Sequence, residues 1–179
     1  HLGWFYGIFL LFMLVASSNA VNITDGLDGL AGGLSLIAFL TFALISANSP
    51  AIKGTSDIAV FCFVLVGALL GFLAFNSRPA KVFMGDTGSL ALGATLATIA
   101  IITKHELTFI IVSGVFIFET LVCLIQIISM VYFHKKVFLM TPFHHHLEKL
   151  GWKERDIVVV FWCIGLLLSM AAILFGVWY

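Results

Sequence analysis

Three short polar segments of this chain carry the residue types that could do chemistry, and the first spans residues 19–30. It places Asn22, Asp25 and Asp28 among two glycines. Two acids three residues apart share one face of a helix, and glycine lets the backbone approach a ligand closely. Capping of the next helix by Asp28 is the alternative explanation. Because two acids and an amide exceed what one cap requires, the segment predicts a ligand site.

The second polar segment, residues 75–89, ends at Asp86 just before another apolar run. The N-terminus of a helix favours anions, and Arg78 and Lys81 lie a few residues upstream. Mg²⁺ is usually held by one or two carboxylates together with substrate phosphate oxygens, so the segment suits a magnesium–phosphate site. Capping by Asp86 explains the pattern equally well. Phe83 is unusual in a polar loop and could stack on a nucleobase.

The third polar segment contains three adjacent histidines, residues 144–146, followed by Glu148. Neighbouring residues on a helix diverge by about 100°, which disfavours three imidazoles on one zinc ion. Histidine titrates near neutrality and can donate to phosphate oxygens or transfer protons. The triplet therefore favours phosphate binding or acid–base catalysis, with a metal site and a solvated loop as the alternatives.

Two further polar residues, Glu119 and Gln126, share one stripe of a long apolar run. An acid inside a membrane is costly and suggests function by default. For Glu119 a hydrogen bond to Gln126 or a neighbouring helix is the favoured explanation. Gln126 lies nearer the polar end of the run and is the better candidate for contact with a ligand.

The composition determines the class of protein that must position these residues. Of 179 residues, 61% are hydrophobic and 10% charged, with a mean hydropathy of +1.15, whereas soluble domains are about 25% charged. This excludes a disordered chain, a coiled coil and an ordinary soluble enzyme. Zero net charge gives no electrostatic reason to expect a nucleic-acid partner. The prediction is an all-α polytopic membrane protein, with residues 1–179 forming one transmembrane domain.

Six apolar runs are long enough to cross a bilayer as helices: about 2–18, 29–47, 58–75, 89–103, 109–133 and 157–178. Alternation then places three loops, about 19–28, 76–88 and 134–156, on one side. These loops hold seven of the nine Lys and Arg residues, namely Arg78, Lys81, Lys135, Lys136, Lys149, Lys153 and Arg155, against Lys53 and Lys104 opposite. The positive-inside rule assigns the basic side to the cytoplasm. The three polar segments therefore share one face and could build one site.

Three sequence motifs resemble one known family when taken together. They are NAVNITDGLDGL at 19–30, FMGDTGSL at 83–90 and PFHHHLE at 142–148. In this order and on one face they are similar to the phospho-N-acetylmuramoyl-pentapeptide transferases, within the polyprenyl-phosphate N-acetylhexosamine-1-phosphate transferase superfamily. The resemblance covers essentially the whole chain. The His triplet with Glu148 and Gly151-Trp152 points to the muramoyl-pentapeptide branch; the sister enzymes, which use an N-acetylhexosamine without peptide, are the alternative.

The resemblance implies a bacterial plasma-membrane enzyme with its active site on the cytoplasmic face. Such an enzyme transfers phospho-MurNAc-pentapeptide from UDP to undecaprenyl phosphate, needs Mg²⁺, releases lipid I and UMP, and can form a homodimer. By this likeness Asp86 would hold Mg²⁺, and the catalytic residues would be Asp25, Asp28, Asp86 and His145. The substrate-binding residues would be Asn22, Asn76, Phe83, Gln126, His144 and His146.

One family motif has no counterpart in this sequence. The family carries an adjacent Asp pair followed by Lys, and no Asp-Asp occurs among these residues. The resemblance also implies ten helices in the whole enzyme, of which these would be the last six. We therefore expect residues 1–179 alone to be incomplete and inactive.

A transporter or metal channel, with the His triplet as an ion gate, is the alternative from another functional class. Such a path needs polar residues on several helices. Beyond Glu119 and Gln126 the apolar runs offer few, so the transferase remains the preferred prediction.

Overall fold

The computed structural model describes residues 3–48 and 55–178, and this part of the chain folds into eight helices without a strand. Six of them are long and apolar enough to cross a membrane. The helices are α1 (Gly3–Thr24), α2 (Leu30–Asn48), α3 (Thr55–Asn76), α4 (Gly85–Ile102), α5 (Glu106–Val112), α6 (Gly114–Phe133), α7 (Phe143–Lys149) and α8 (Glu154–Trp178). The predicted all-α, multi-pass architecture is confirmed, with α5 and α7 as short additional helices.

Helix α2 forms the centre of the fold, since it packs against both α3 and α8. Most of its residues are buried, and Phe39, Phe42 and Ile45 have no exposed surface. Helix α1 instead packs against α4 and α6, while α5 packs against α8. Many large apolar side chains on the outer faces of α1, α3, α6 and α8 are exposed, as is required of helices that lie in lipid.

Helices α1 and α4 approach each other closely at Gly93. A Cβ atom at Gly93 would lie only 2.4 Å from the backbone oxygen of Ser17. The Ser17 hydroxyl donates to the carbonyl of Gly93 at 2.6 Å, and the Ser18 hydroxyl donates to that of Leu90 at 2.9 Å. Small residues and interhelical hydroxyl bonds are the usual means of holding helices together in a membrane. This contact determines how the end of α1 meets the start of α4.

The run predicted as one helix over 109–133 is interrupted at Ser113 and divided between α5 and α6. Backbone hydrogen bonds continue across the interruption, from Ser113 N–H to Phe109 and from Ile117 N–H to Ser113. Leu168 of α8 packs against Gly114, where a Cβ atom would lie 2.8 Å from its Cδ1. The apolar pattern alone did not reveal this interruption.

The ends of several helices differ from the predicted loop boundaries. Helix α1 continues to Thr24, so Asn22 is helical rather than part of a loop beginning at residue 19. Helix α4 begins at Gly85, which places Asp86 in its first turn. The region 134–156 contains α7 and the start of α8. Two residues used in the predictions, Leu2 and Lys53, lie outside the described residues.

The close approach at Gly93 predicts that a methyl group there separates α1 from α4. Because the atoms it would meet are backbone, Gly93→Ala should lower the unfolding free energy by about 1–3 kcal/mol, the usual cost of overpacking. Thermal unfolding of the detergent-solubilised complete polypeptide measures this. Gly67→Ala is the matched control, since no described atom lies within 4 Å of its added Cβ. Equal unfolding temperatures for the two variants would contradict the packing assignment.

Candidate active site

The end of α1 and the start of α4 are joined by a side-chain contact between two predicted site residues. The amide nitrogen of Asn22 donates to Asp86 Oδ1 at 3.0 Å and to the Ser89 hydroxyl oxygen at 2.9 Å. The Ser89 hydroxyl in turn donates to the carbonyl of Gly85 in its own helix. Asp86 therefore faces α1, and the predicted alternative, in which it caps α4, is not what the described contacts support.

Asp25 follows directly after α1 and lies in the electrostatic field of Asp86. Burial raises the pKa of the Asp25 carboxyl, and the negative charge of Asp86 raises this pKa further. Two carboxylates from segments 61 residues apart in the chain thus lie close enough to repel each other. Bringing acids together at a cost in free energy is typical of a functional site.

Asp28 and Asn76 tie the turn after α1 to the loop before α4. The backbone N–H of Ala80 donates to Asp28 Oδ2 at 3.0 Å. The side-chain oxygen of Asn76 accepts from Gly29 N–H at 2.9 Å, and its amide nitrogen donates to the carbonyl of Val82 at 2.8 Å. Asp28 therefore braces the neighbouring loop rather than capping α2, and both groups of the Asn76 amide are already paired.

The three histidines lie on α7 and face three different partners. His144 Nδ1 lies 3.2 Å from Glu119 Oε1, and His145 Nδ1 forms a short hydrogen bond with Glu148. His146 Nδ1 accepts from the backbone N–H of Leu139 at 3.1 Å. The rings diverge as helical geometry requires. Among the described residues no three His, Cys, Asp or Glu side chains form a metal-binding group.

His144 brings α7 against the turn that carries Asp25. The His144 side chain is fully buried. A Cβ atom added at Gly26 would lie only 2.3 Å from His144 Nε2. A contact between His144 and substrate would therefore need this packing to rearrange. Together with the bonds from Asn22 and Asp28, the contact shows that the three polar segments meet at one end of the helices.

Glu119 and Gln126 of α6 bind the backbone of the segment that leads to α7. Gln126 Oε1 accepts from Val137 N–H and Phe138 N–H at 3.1 and 3.0 Å. Glu119 accepts from Phe143 N–H at 2.6 Å. Because both side chains are used inside the protein, neither lines a path of the kind that a channel would need. Sequence reasoning expected the acid to be paired but missed α7 as its partner.

Two further residues of the loop before α4, Phe83 and Arg78, differ in whether their side chains are already paired. The side chain of Phe83 is 74% exposed, which leaves its ring free to stack. Arg78 forms a salt bridge with Glu154 at 2.9 Å, which links the loop before α4 to the start of α8. Both partners are partly exposed, so this pair adds little stability; only the structure revealed it.

The chemistry of this end is that of a binding site for phosphate and a hard cation. It offers two neighbouring carboxylates, an asparagine, a serine and the positive end of α4. Oxygen donors of this kind suit Mg²⁺, which needs only one or two carboxylates when substrate phosphate supplies further ligands. The residues present therefore fit such an ion, although they do not form a complete cage for it.

Comparison with known proteins agrees with this chemistry. Residues 1–104 match the family model of glycosyl transferase family 4. The matched range includes the polar segments of Asn22 and Asp86. A phospho-N-acetylmuramoyl-pentapeptide-transferase of Geobacillus thermodenitrificans (strain NG80-2) is 55% identical over 177 residues, or 99% of this chain and 53% of that protein. A protein of the same name from Bacillus thuringiensis (strain Al Hakam) is 52% identical over 178 residues, or 99% of this chain and 54% of its own length.

The chain spans about half the length of the curated relatives it matches. The family model covers more than half of the chain itself, and the six apolar helices and the paired acids fit a transferase that works at a membrane. On this evidence the chain belongs to glycosyl transferase family 4.

Proposed function

We propose that these residues form part of an enzyme that transfers phospho-MurNAc-pentapeptide from its UDP carrier to undecaprenyl phosphate. In the net reaction the P–O bond to UMP is replaced by a P–O bond to the lipid phosphate, which yields lipid I and UMP. The observation that carries the proposal is the meeting of Asn22, Asp25 and Asp86 beside the histidine helix at one end of a membrane-spanning bundle. The names of its relatives support the same reaction.

The acid pair is proposed to hold Mg²⁺, with Asp86 as the principal ligand. When bound, the ion neutralises diphosphate charge and stabilises the leaving UMP. Asn22 holds the Asp86 carboxylate in place through its amide nitrogen. Burial, and then the negative charge of Asp86, raises the pKa of the Asp25 carboxyl, and a cation bound between the two acids would offset that repulsion. Asp25 and Asp28 complete the proposed catalytic cleft.

His145 and His146 are proposed to serve the substrate phosphates in different ways. Because His146 Nδ1 accepts a hydrogen bond from Leu139 N–H, the neutral ring carries its proton on Nε2. This Nε2–H can donate a hydrogen bond to a phosphate oxygen. His145 gives its Nδ1–H to Glu148. Its Nε2 is then free to accept a proton, or to donate one when the ring is charged. His144 was predicted to contact substrate, but its side chain is fully buried, and we propose that it serves the site through packing.

The exposed ring of Phe83 is proposed to stack on uracil. Asn76 and Gln126 remain predicted residues of the nucleotide pocket. Because their amides already bind the backbone, we propose that they shape its wall.

The location of the site suits substrates of opposite solubility. The lipid phosphate is anchored in the bilayer and the UDP-sugar is dissolved in water, so both can meet only at a membrane surface. We propose that the site lies on the cytoplasmic face of the bacterial plasma membrane. Seven of the nine basic residues belong to the segments that join the helices at this end of the bundle. A homodimer is proposed by family likeness, and the mass of the solubilised particle tests it.

Loss of the proposed metal ligand should abolish the reaction. In the complete polypeptide, Asp86→Asn should lower Mg²⁺-dependent UMP release by at least about 10²-fold, the scale expected when a principal electrostatic group is lost. The matched control is Asp57→Asn, an exposed acid at the opposite end of α3. Wild-type UMP release from Asp86→Asn would contradict the assignment. Repeating the assay with a UDP-N-acetylhexosamine lacking peptide separates the sister enzymes.

The burial of Asp25, together with the charge of Asp86, predicts a pH-dependent gain in stability for Asp25→Asn. Because the pKa of Asp25 is raised in the folded protein, the folded state loses stability as the pH rises from the ordinary Asp value of about 4 through the raised value. Below the ordinary value the carboxyl is protonated in both the folded and the unfolded state, so this loss is absent. Asp25→Asn should therefore raise the unfolding temperature at pH 7, should leave it unchanged below pH ~4, and should lower UMP release. A lower unfolding temperature at pH 7 would contradict this explanation.

A further inference from the structure

The helix that carries the histidines is held to α6 by two side chains seven residues apart. Gln126 binds the backbone of Val137 and Phe138, and Glu119 binds the backbone of Phe143 and His144. The two side chains lie on one stripe of α6, where helical periodicity brings residues seven apart onto one face. Segment 137–144 is therefore fastened to α6 at both ends by polar groups that are anchored in a membrane-spanning helix.

Glu119 supplies what the start of α7 lacks. The first amides of a helix have no partner within it, and Pro142, which precedes α7, makes no side-chain cap. The amides of His145 and His146 turn back to the carbonyl of Pro142. The amides of Phe143 and His144 bind the Glu119 carboxylate at 2.6 and 3.2 Å. Glu119 is fully buried, so water has no access to replace it.

His144 extends this fastening to the turn that carries Asp25. Its Nδ1 lies 3.2 Å from Glu119 Oε1. Its Nε2 has no hydrogen-bond partner among the described residues and lies against Gly26. With both sides of its ring enclosed, His144 acts as a spacer between α6 and that turn. The absence of a side chain at Gly26 is what makes room for the ring.

We propose that Glu119 is a positioning residue of the active site. Through His144 and the first amides of α7, it fixes His145 and His146 relative to the turn that carries Asp25. Its kinetic consequence rests on the proposed function, whereas its structural consequence rests on the hydrogen bonds alone. Misplacing a reacting group by about 1 Å can lower a rate by about 10²-fold, so a loosened α7 should lower kcat.

The experiment combines hydrogen exchange with kinetics on the complete polypeptide carrying Glu119→Gln. The glutamine amide presents donors where the carboxylate accepted from donors. The amides of residues 143 and 144 should therefore exchange at least about tenfold faster. The kcat for UMP release should fall by at least about tenfold, with the KM for the UDP-sugar within about threefold of wild type, because the nucleotide pocket remains intact. Thr120→Val is the matched control, since the Thr120 hydroxyl donates to the carbonyl of Phe116 in α6 and to nothing else among the described residues.

A second variant tests the contact between His144 and the turn that carries Asp25. Gly26→Ala places a methyl group where His144 Nε2 lies and should lower kcat in the same way. Adding His144→Ala should remove that clash, so that the double variant retains more activity than the product of the two single effects predicts. This pair keeps the proposal testable if Glu119→Gln does not fold.

The outcomes separate the inference from the proposed function. Unchanged exchange at residues 143 and 144 in Glu119→Gln would overturn the inference whatever the activity. Faster exchange with wild-type kcat, a similar loss of kcat in Thr120→Val, or additive effects of Gly26→Ala and His144→Ala would also overturn it. If the wild-type protein releases no UMP, the proposed function fails, and exchange at residues 143 and 144 still decides whether Glu119 fastens α7.

Discussion

A polar group inside a membrane protein must find its partner within the protein, because the surrounding hydrocarbon offers none. Several contacts that hold the helices together follow from this constraint. The hydroxyls of Ser17 and Ser18 bind carbonyls of α4, and Glu119 and Gln126 bind the backbone next to α7. The acids and histidines that could serve a substrate collect where the helices reach water.

The contact of α1 with α4 brings the residues of the candidate site together. Close packing at Gly93 aligns the two helices so that Asn22, at the end of one, reaches Asp86, at the start of the other. The same alignment places Asp25 near Asp86, and burial together with the charge of Asp86 raises the pKa of Asp25. A fold selected for stability alone would separate these carboxylates. Their proximity supports the proposal that a positive ion and a diphosphate occupy the site during the reaction.

The sequence predicted the membrane class, the six spanning helices and the gathering of three polar segments at one end. Long apolar runs and the uneven distribution of Lys and Arg depend on composition and order alone. The interruption at Ser113 and the extension of α1 through Asn22 were not predictable, because hydropathy does not mark where a helix is interrupted or where it ends. The partner of Glu119 was also missed, since it is a backbone amide 24 residues away, and no pattern of side chains marks such a bond.

One cation and one diphosphate are proposed to be held jointly by residues from separate helices. Substituting Mn²⁺ for Mg²⁺ in the complete polypeptide with its UDP-sugar allows pulsed electron–nuclear double resonance to measure the coupling between manganese and substrate phosphorus. A resolved ³¹P coupling is expected in the wild-type protein and should be lost in Asp86→Asn. The same coupling in both proteins, or none in the wild type under conditions where UMP is released, would contradict it.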